Sequence, residues 1–119
     1  MLSLRLKTVA ALVPFGARVC DIGTDHARLP IYLIQSGIAK SVIAADLREK
    51  PLEKARENIR FAGVRGIDTR LCNGFDGIDV NEFDAAVIAG IGGEVISGII
   101  DRADILKNAD KLLILQPTT

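Results

Sequence analysis

Two periodicities alternate along the chain. Leu6, Val9, Ala10 and Val13 share one helical face, and Pro14 with Gly16 ends that helix. Ala17 to Ile22 then reads as a short strand. The next helix carries Pro30 in its first turn, where a missing N–H costs nothing, and stops at Gly37. Ser41 to Ala45 is the second strand. Pro51 opens a helix whose inward face is Leu52, Ala55, Ile59 and Ala62, and Gly63 closes it. Ile67 to Leu71 is a weaker strand, because Asp68 and Arg70 alternate with less polar residues; that pattern places it at a sheet edge. Ala85 to Ala89 is a strong fourth strand. Gly90-Ile91-Gly92-Gly93 and a short helix around Val95, Ile96, Ile99 and Ile100 follow, and Leu112 to Leu115 is the fifth strand. Strands joined by helical crossovers predict the α/β class, a doubly wound parallel sheet with right-handed connections. There is no repeat, low-complexity tract or linker, so residues 1–119 read as one domain.

Composition supports this architecture. Apolar residues make up 49% of the chain and the mean hydropathy is +0.29, as expected where parallel strands are covered on both faces. No apolar run approaches the ~20 residues that span a bilayer. Met1 to Arg5 alternates apolar with polar and basic residues and lacks the apolar block of a secretion signal, so the expected location is the cytoplasm. Cys20 and Cys72 lack metal-site spacing, and reduced thiols are expected. No metal site is expected either. The net charge of zero hides an asymmetry. Residues 1–70 carry 12 Lys/Arg against 7 Asp/Glu, whereas residues 71–119 carry 3 against 8. A basic half suits a polyanion such as nucleic acid; it also suits the solvated face of the helix that follows Lys50.

Candidate chemistry gathers at strand ends. The first strand runs through Asp21 and Ile22 into a turn that Gly23 opens, and the second is followed at once by Asp46. Open α/β sheets bind ligands at the carboxyl ends of their strands. A dinucleotide turn needs glycines where this chain has Asp25 and Arg28, and a carboxylate there repels a pyrophosphate. A phosphate loop of the Gly-Lys-Ser/Thr type is absent. A receiver domain needs an aspartate after the third strand and a lysine after the fifth, where Cys72-Asn73 and Gln116 stand. S-adenosylmethionine has no phosphate, a cationic amino group and two ribose hydroxyls. Asp21 and Asp25 suit its cationic end, Asp46 suits the ribose, Gly23 permits close approach, and Asn73-Gly74 sits where an adenine edge is read. Each charge-assisted bond of this kind is worth ~1.5–3 kcal/mol. Helix capping or a strand-end salt bridge is the alternative role for the two acids. His26, the sole histidine, reads either as a hydrogen-bonder at the helix start or as a catalyst. Gly90 to Gly93 reads as a tight turn or as room for a planar ring.

The string from Asp21 to Leu33, Asp-Ile-Gly-Thr-Asp-His-Ala-Arg-Leu-Pro-Ile-Tyr-Leu, resembles the first motif of the bacterial TrmK family. Leu4 to Pro14, Val87 to Gly93 and Leu113 to Pro117 are similar to that family in the same order, so the resemblance covers essentially the whole chain. It implies a Rossmann-like, class I S-adenosylmethionine-dependent methyltransferase fold with five strands present and the C-terminal strands missing. The implied activity is methyl transfer to N1 of adenine 22 of tRNA. Cofactor contacts would fall on Asp21, Gly23, Asp25, His26, Asp46, Asn73, Gly74 and Gly90. The target base would enter beside Gly90 to Gly93, with Arg28, Gly92, Gly93, Gln116 and Pro117 on the acceptor side and Asp25 as the catalytic carboxylate. Arg28 replaces the family's tyrosine, Asn73 stands where related enzymes carry aspartate, and Thr118-Thr119 ends the chain where the family continues into a helical domain. The rival expectations are a methyltransferase acting on a small molecule or protein, and a nucleotide-binding domain without catalysis.

Overall fold

A computed structural model describes residues 2–107 and 110–118. Met1 and Thr119, the ends of the range read as one domain, lie outside the described residues. In chain order the elements are α1 (Leu4–Ala11), β1 (Ala17–Ile22), α2 (Arg28–Gln35), β2 (Ala39–Asp46), α3 (Glu49–Ala62), β3 (Ile67–Leu71), β4 (Ala85–Ile91), α4 (Gly93–Arg102) and β5 (Leu112–Pro117). Single 3₁₀ turns at Val80–Glu82 and Asp104–Leu106 precede the last two strands. All strand pairings are parallel, in the order β3-β2-β1-β4-β5. Among the described residues β3 is therefore an edge, as its alternating charges predict.

Strand alternation builds two cores. Val19, Val42 and Val87 point to one face and meet Val9 and Ala10 of α1, Val13 just beyond its end, and Leu29 and Leu33 of α2. Cys20, Ile22, Ile43, Ala86 and Ile88 point to the other and meet Ile96 and Ile99 of α4, together with Phe75, Ile78 and Phe83. Leu52 and Ala55 of α3 pack beside Ala27 on the α2 side. Helices on both faces make the sheet doubly wound and Rossmann-like. Burial on both sides explains why the strands read as apolar runs.

β2 is longer than the sequence pattern suggests. It starts at Ala39, opposite Ala17 across a bulge, and includes Asp46, which pairs with Leu71. β4 likewise runs through Gly90 to Ile91. Hydrophobic periodicity misses these ends because pairing with a neighbouring strand, and not local apolarity, holds them extended. The segment after β3 also acquires order that periodicity does not show. Asp79 and Glu82 form a reciprocal capping box, and Arg70 reaches Glu82 at 2.6 Å and Asp68 at 2.9 Å. These bonds hold the Glu82 carboxyl down at about 2.

The chain proceeds outward from β1 through β2 to β3, then returns to lay β4 against β1 on its other side. The carboxyl ends of β1 and β4 thus diverge at a reversal of strand order, which is where open sheets form their ligand crevice.

Candidate active site

A cavity of about 520 Å³ lies at this reversal, within the size range of small-molecule sites. Its walls are the ends of β1, β2 and β4 and the segment that follows β3, closed by α1 on one side and α4 on the other. Asp21, Gly23, Asp25, Asp46, Asn73, Gly74 and Gly90 line it, and so does Arg28. His26, Gly92, Gly93, Gln116 and Pro117 do not form its wall.

The two strand-end acids are buried yet face the cavity; Asp21 is 5% exposed and Asp46 4%. The Thr24 hydroxyl donates to Asp21 Oδ2 at 2.8 Å. Burial pushes the Asp21 carboxyl up to about 7; the Thr24 bond works against that rise and the nearby Asp46 charge adds to it. Asp46 accepts the backbone N–H of Asp25 at 3.0 Å on Oδ2 and that of Arg48 at 3.0 Å on Oδ1. Asp46 therefore braces both the β1 turn and the start of α3, and each oxygen retains capacity for a further donor. Asp46 does not cap α3, whose N-cap is Arg48 and has no side-chain cap bond; instead it holds the Arg48 N–H and lies 3.6 Å from the Arg48 guanidinium while facing the cavity.

The turn after β1 is wound tightly. Gly23 has φ +75°, and its N–H, like that of Thr24, donates to the Ala45 carbonyl. A Cβ at Gly23 would lie 2.7 Å from Ile91 Cδ1, so the Ile91 side chain packs into the space this glycine leaves. Two non-glycine residues are left-handed as well, Asp25 at φ 58° and Ala27 at φ 61°. Such backbone costs about 1–2 kcal/mol per residue and persists where surrounding bonds enforce it. Here those bonds are the Asp25 N–H to Asp46, the Ala27 N–H to the Thr24 carbonyl at 3.2 Å, and the Asn58 side chain donating to the His26 carbonyl at 2.9 Å. The His26 ring lies with Nδ1 3.3 Å from Arg28 Nη2 and Nε2 3.7 Å from Asp25 Oδ1.

The wall at the end of β4 is organised around Gly90, at φ +73°. Its N–H donates to Gln116 Oε1 at 3.1 Å, and Arg5 Nη1 donates to the same oxygen at 2.8 Å. A Cβ at Gly90 would stand 2.9 Å from that Arg5 nitrogen. Gln116 thus ties β5 to β4 and α1 and contributes from behind the wall. Gly92 caps α4 and Gly93 begins it.

Sequence reasoning missed Thr24, Arg5, Arg48 and Arg102, all of which line the cavity. The spacing of Thr24 from Asp21 was a usable signal. For Arg5 none existed, since its partner is 111 residues away. Among the described residues no cluster of three or more His, Cys, Asp or Glu is arranged to hold a metal, and no helix is long and apolar enough to cross a membrane.

In sequence and shape the chain is similar to known methyltransferases. The methyltransferase-domain family matches residues 2–119. The tRNA (adenine(22)-N(1))-methyltransferase of Bacillus subtilis strain 168 is 38% identical over 117 residues, which is 98% of this chain and 49% of that protein. The crystal structure of Streptococcus pneumoniae Sp1610 in complex with S-adenosyl-L-methionine superimposes with a TM-score of 0.91 at 37% identity, covering 100% of this chain and 56% of that one. M. capricolum TrmK in complex with S-adenosyl-homocysteine gives 0.88 at 37% identity, covering 100% and 53%. The chain spans about half the length of each of these relatives.

Proposed function

This chain belongs to the methyltransferase-domain family, and from that premise we propose that it transfers a methyl group from S-adenosylmethionine to N1 of an adenine in tRNA. One observation carries the cofactor choice. The cavity floor holds two buried carboxylates beside a glycine turn, and the backbone there is wound to face a ligand that brings cations and hydroxyls instead of phosphates. A carboxyl held near 7 by burial gains most from an ammonium partner, which repays its desolvation. The relatives that bind S-adenosylmethionine or its product and act on adenine 22 of tRNA support both the cofactor and the acceptor. Such a substrate implies a cytoplasmic enzyme.

When bound, the cofactor supplies a methyl group already activated on a positive sulfonium, so the chain needs no covalent nucleophile. Asp21 would hold the cofactor's ammonium end, with Thr24 fixing the Asp21 carboxylate. Asp46 would accept its ribose hydroxyls, and Asn73-Gly74 would read its adenine edge. The turn at Gly90 leaves room for the acceptor base, which must first leave its stack at a cost of a few kcal/mol. Acceleration comes chiefly from orienting the reactants away from water. Asp25, half-exposed at the cavity wall, stabilises the positive charge that develops on the base or takes its N6 proton. Asp25→Asn is expected to lower turnover by at least tenfold, more than it lowers cofactor affinity. Equal turnover in the variant would remove Asp25 from the chemistry.

Calorimetric titration with S-adenosylmethionine, with NADH as control, tests the cofactor. Methyl transfer to a tRNA transcript, with a transcript lacking adenine 22 as control, tests the acceptor. Micromolar binding of the first ligand alone and transfer only to the intact transcript are expected. Transfer to both transcripts would overturn the assigned acceptor, and binding without transfer would leave a non-catalytic domain.

A further inference from the structure

Seven of the nine arginines of this chain fall into two groups. Arg18, Arg56 and Arg70 are committed to carboxylates: Arg18 to Asp84 at 2.9 Å, Arg56 to Glu49 at 3.1 Å, and Arg70 to Asp68 and Glu82. None of these lines the cavity. Arg5, Arg28, Arg48 and Arg102 all line it, and all are exposed. They come from four places in the fold: α1, the first residue of α2, the residue before α3, and the last residue of α4. Among the described residues Arg5, Arg28 and Arg102 form no ion pair, and Arg48 makes only a 3.6 Å contact with Asp46.

The site is therefore layered, with buried acids on the floor and exposed guanidinium groups around the mouth. The one carboxylate of S-adenosylmethionine can take up one of these guanidinium groups, and a small neutral acceptor does not need the other three. A polyanion does. Arg5 shows how a cation can be positioned while its charge stays available. Its guanidinium is held by the neutral amide oxygen of Gln116 at 2.8 Å and occupies the space that a side chain at Gly90 would fill. Arg28 meets a ring nitrogen of His26 at 3.3 Å, again not a carboxylate. Leu47 and Val95, exposed in the same wall, offer apolar contact to a sugar or base.

We infer that Arg5, Arg28, Arg48 and Arg102 form a ring of phosphate contacts that grips an RNA backbone on both sides of the nucleotide inserted into the cavity. This deepens the proposed function and rests on it. A ring around a nucleoside-sized cavity favours RNA over a membrane surface, which would call for a flat array of cations.

The test is fluorescence anisotropy of a labelled tRNA D-arm hairpin with the chain at 50–300 mM KCl. Four contacts to unpaired RNA give a slope of log affinity against log salt of about −3. Replacing Arg5, Arg28, Arg48 or Arg102 by Gln is expected to weaken binding several-fold and flatten the slope by about 0.7 each, and Lys at the same position is expected to restore it. Arg60→Gln and Arg65→Gln remove exposed arginines outside the cavity wall and are expected to leave the slope unchanged. Equal flattening by those controls, or none from the four, would overturn the inference. Binding to phosphatidylserine vesicles as tight as to the hairpin would also overturn it. If the chain binds S-adenosylmethionine in calorimetry but no RNA, the ring fails and the cofactor site stands. Binding of RNA with the expected slope but not of the cofactor would uphold the ring and refute the methyltransferase reading.

Discussion

Asp21→Asn is expected to make the ligand-free protein more stable and the protein useless as a cofactor binder. The Asp21 carboxyl is 5% exposed and titrates near 7 in the folded chain, against 3.8 in an unfolded one. Between those values the folded state holds a proton that the unfolded state releases. Stability therefore falls as pH rises through this window, at up to about 1.4 kcal/mol per pH unit, and is flat above about 7. Three units make the full penalty on the order of 4 kcal/mol at pH 8 and about 1–2 kcal/mol at pH 5. Asparagine keeps an oxygen for the Thr24 hydroxyl and carries no charge, so its own desolvation cost is the same at every pH. Urea unfolding of both proteins at pH 5, 6, 7 and 8 is the assay. The variant's advantage should grow by about 2–3 kcal/mol from pH 5 to pH 8, set by the protonation of one group. Parallel stability curves would refute the reasoning, since they would mean that Asp21 carries the same charge in both states. The ligand side has the opposite sign. Saturating S-adenosylmethionine should raise the melting temperature of the wild type and leave the variant unmoved. Cofactor binding to the wild type near pH 6 should release a proton, seen as a calorimetric heat that depends on the buffer.

Two further outcomes follow from the packing. Gly90→Ala places a Cβ 2.9 Å from Arg5 Nη1 at φ +73°, so the arginine must leave Gln116; a cost of about 1–2 kcal/mol in unfolding and a rise in the KM for tRNA larger than that for the cofactor are expected. Phe83→Ala empties a fully buried site whose ring lies 5.9 Å from that of Phe75 and under the Lys111 ammonium; urea unfolding should show a loss of about 3–5 kcal/mol, and a loss below 1 kcal/mol would mean that the cavity collapses freely.

The sequence by itself determined the elements and the floor of the site. β1 and β3 have the bounds that periodicity predicts. Asp21, Gly23 and Asp46 were legible because a strand end, a turn glycine and an acid are local features, and a strand buried on both faces leaves an unbroken apolar run before them. The TrmK resemblance added the family, since one motif order spans the chain. Tertiary structure decided what surrounds that floor. Strand order brought Ile91 of β4 against Gly23 in the turn after β1, and Arg5 to Gln116 across 111 residues. It also imposed left-handed backbone on Asp25 and Ala27, which no local preference of alanine predicts, through the Asp25 N–H donated to Asp46 and the Asn58 amide donated to the His26 carbonyl. It left His26 and Pro117 outside the cavity wall and put Arg102 in it. Periodicity reports which face of an element is buried; which elements become neighbours depends on burial and pairing summed over the whole chain, and the arginine ring exists only once that sum is made.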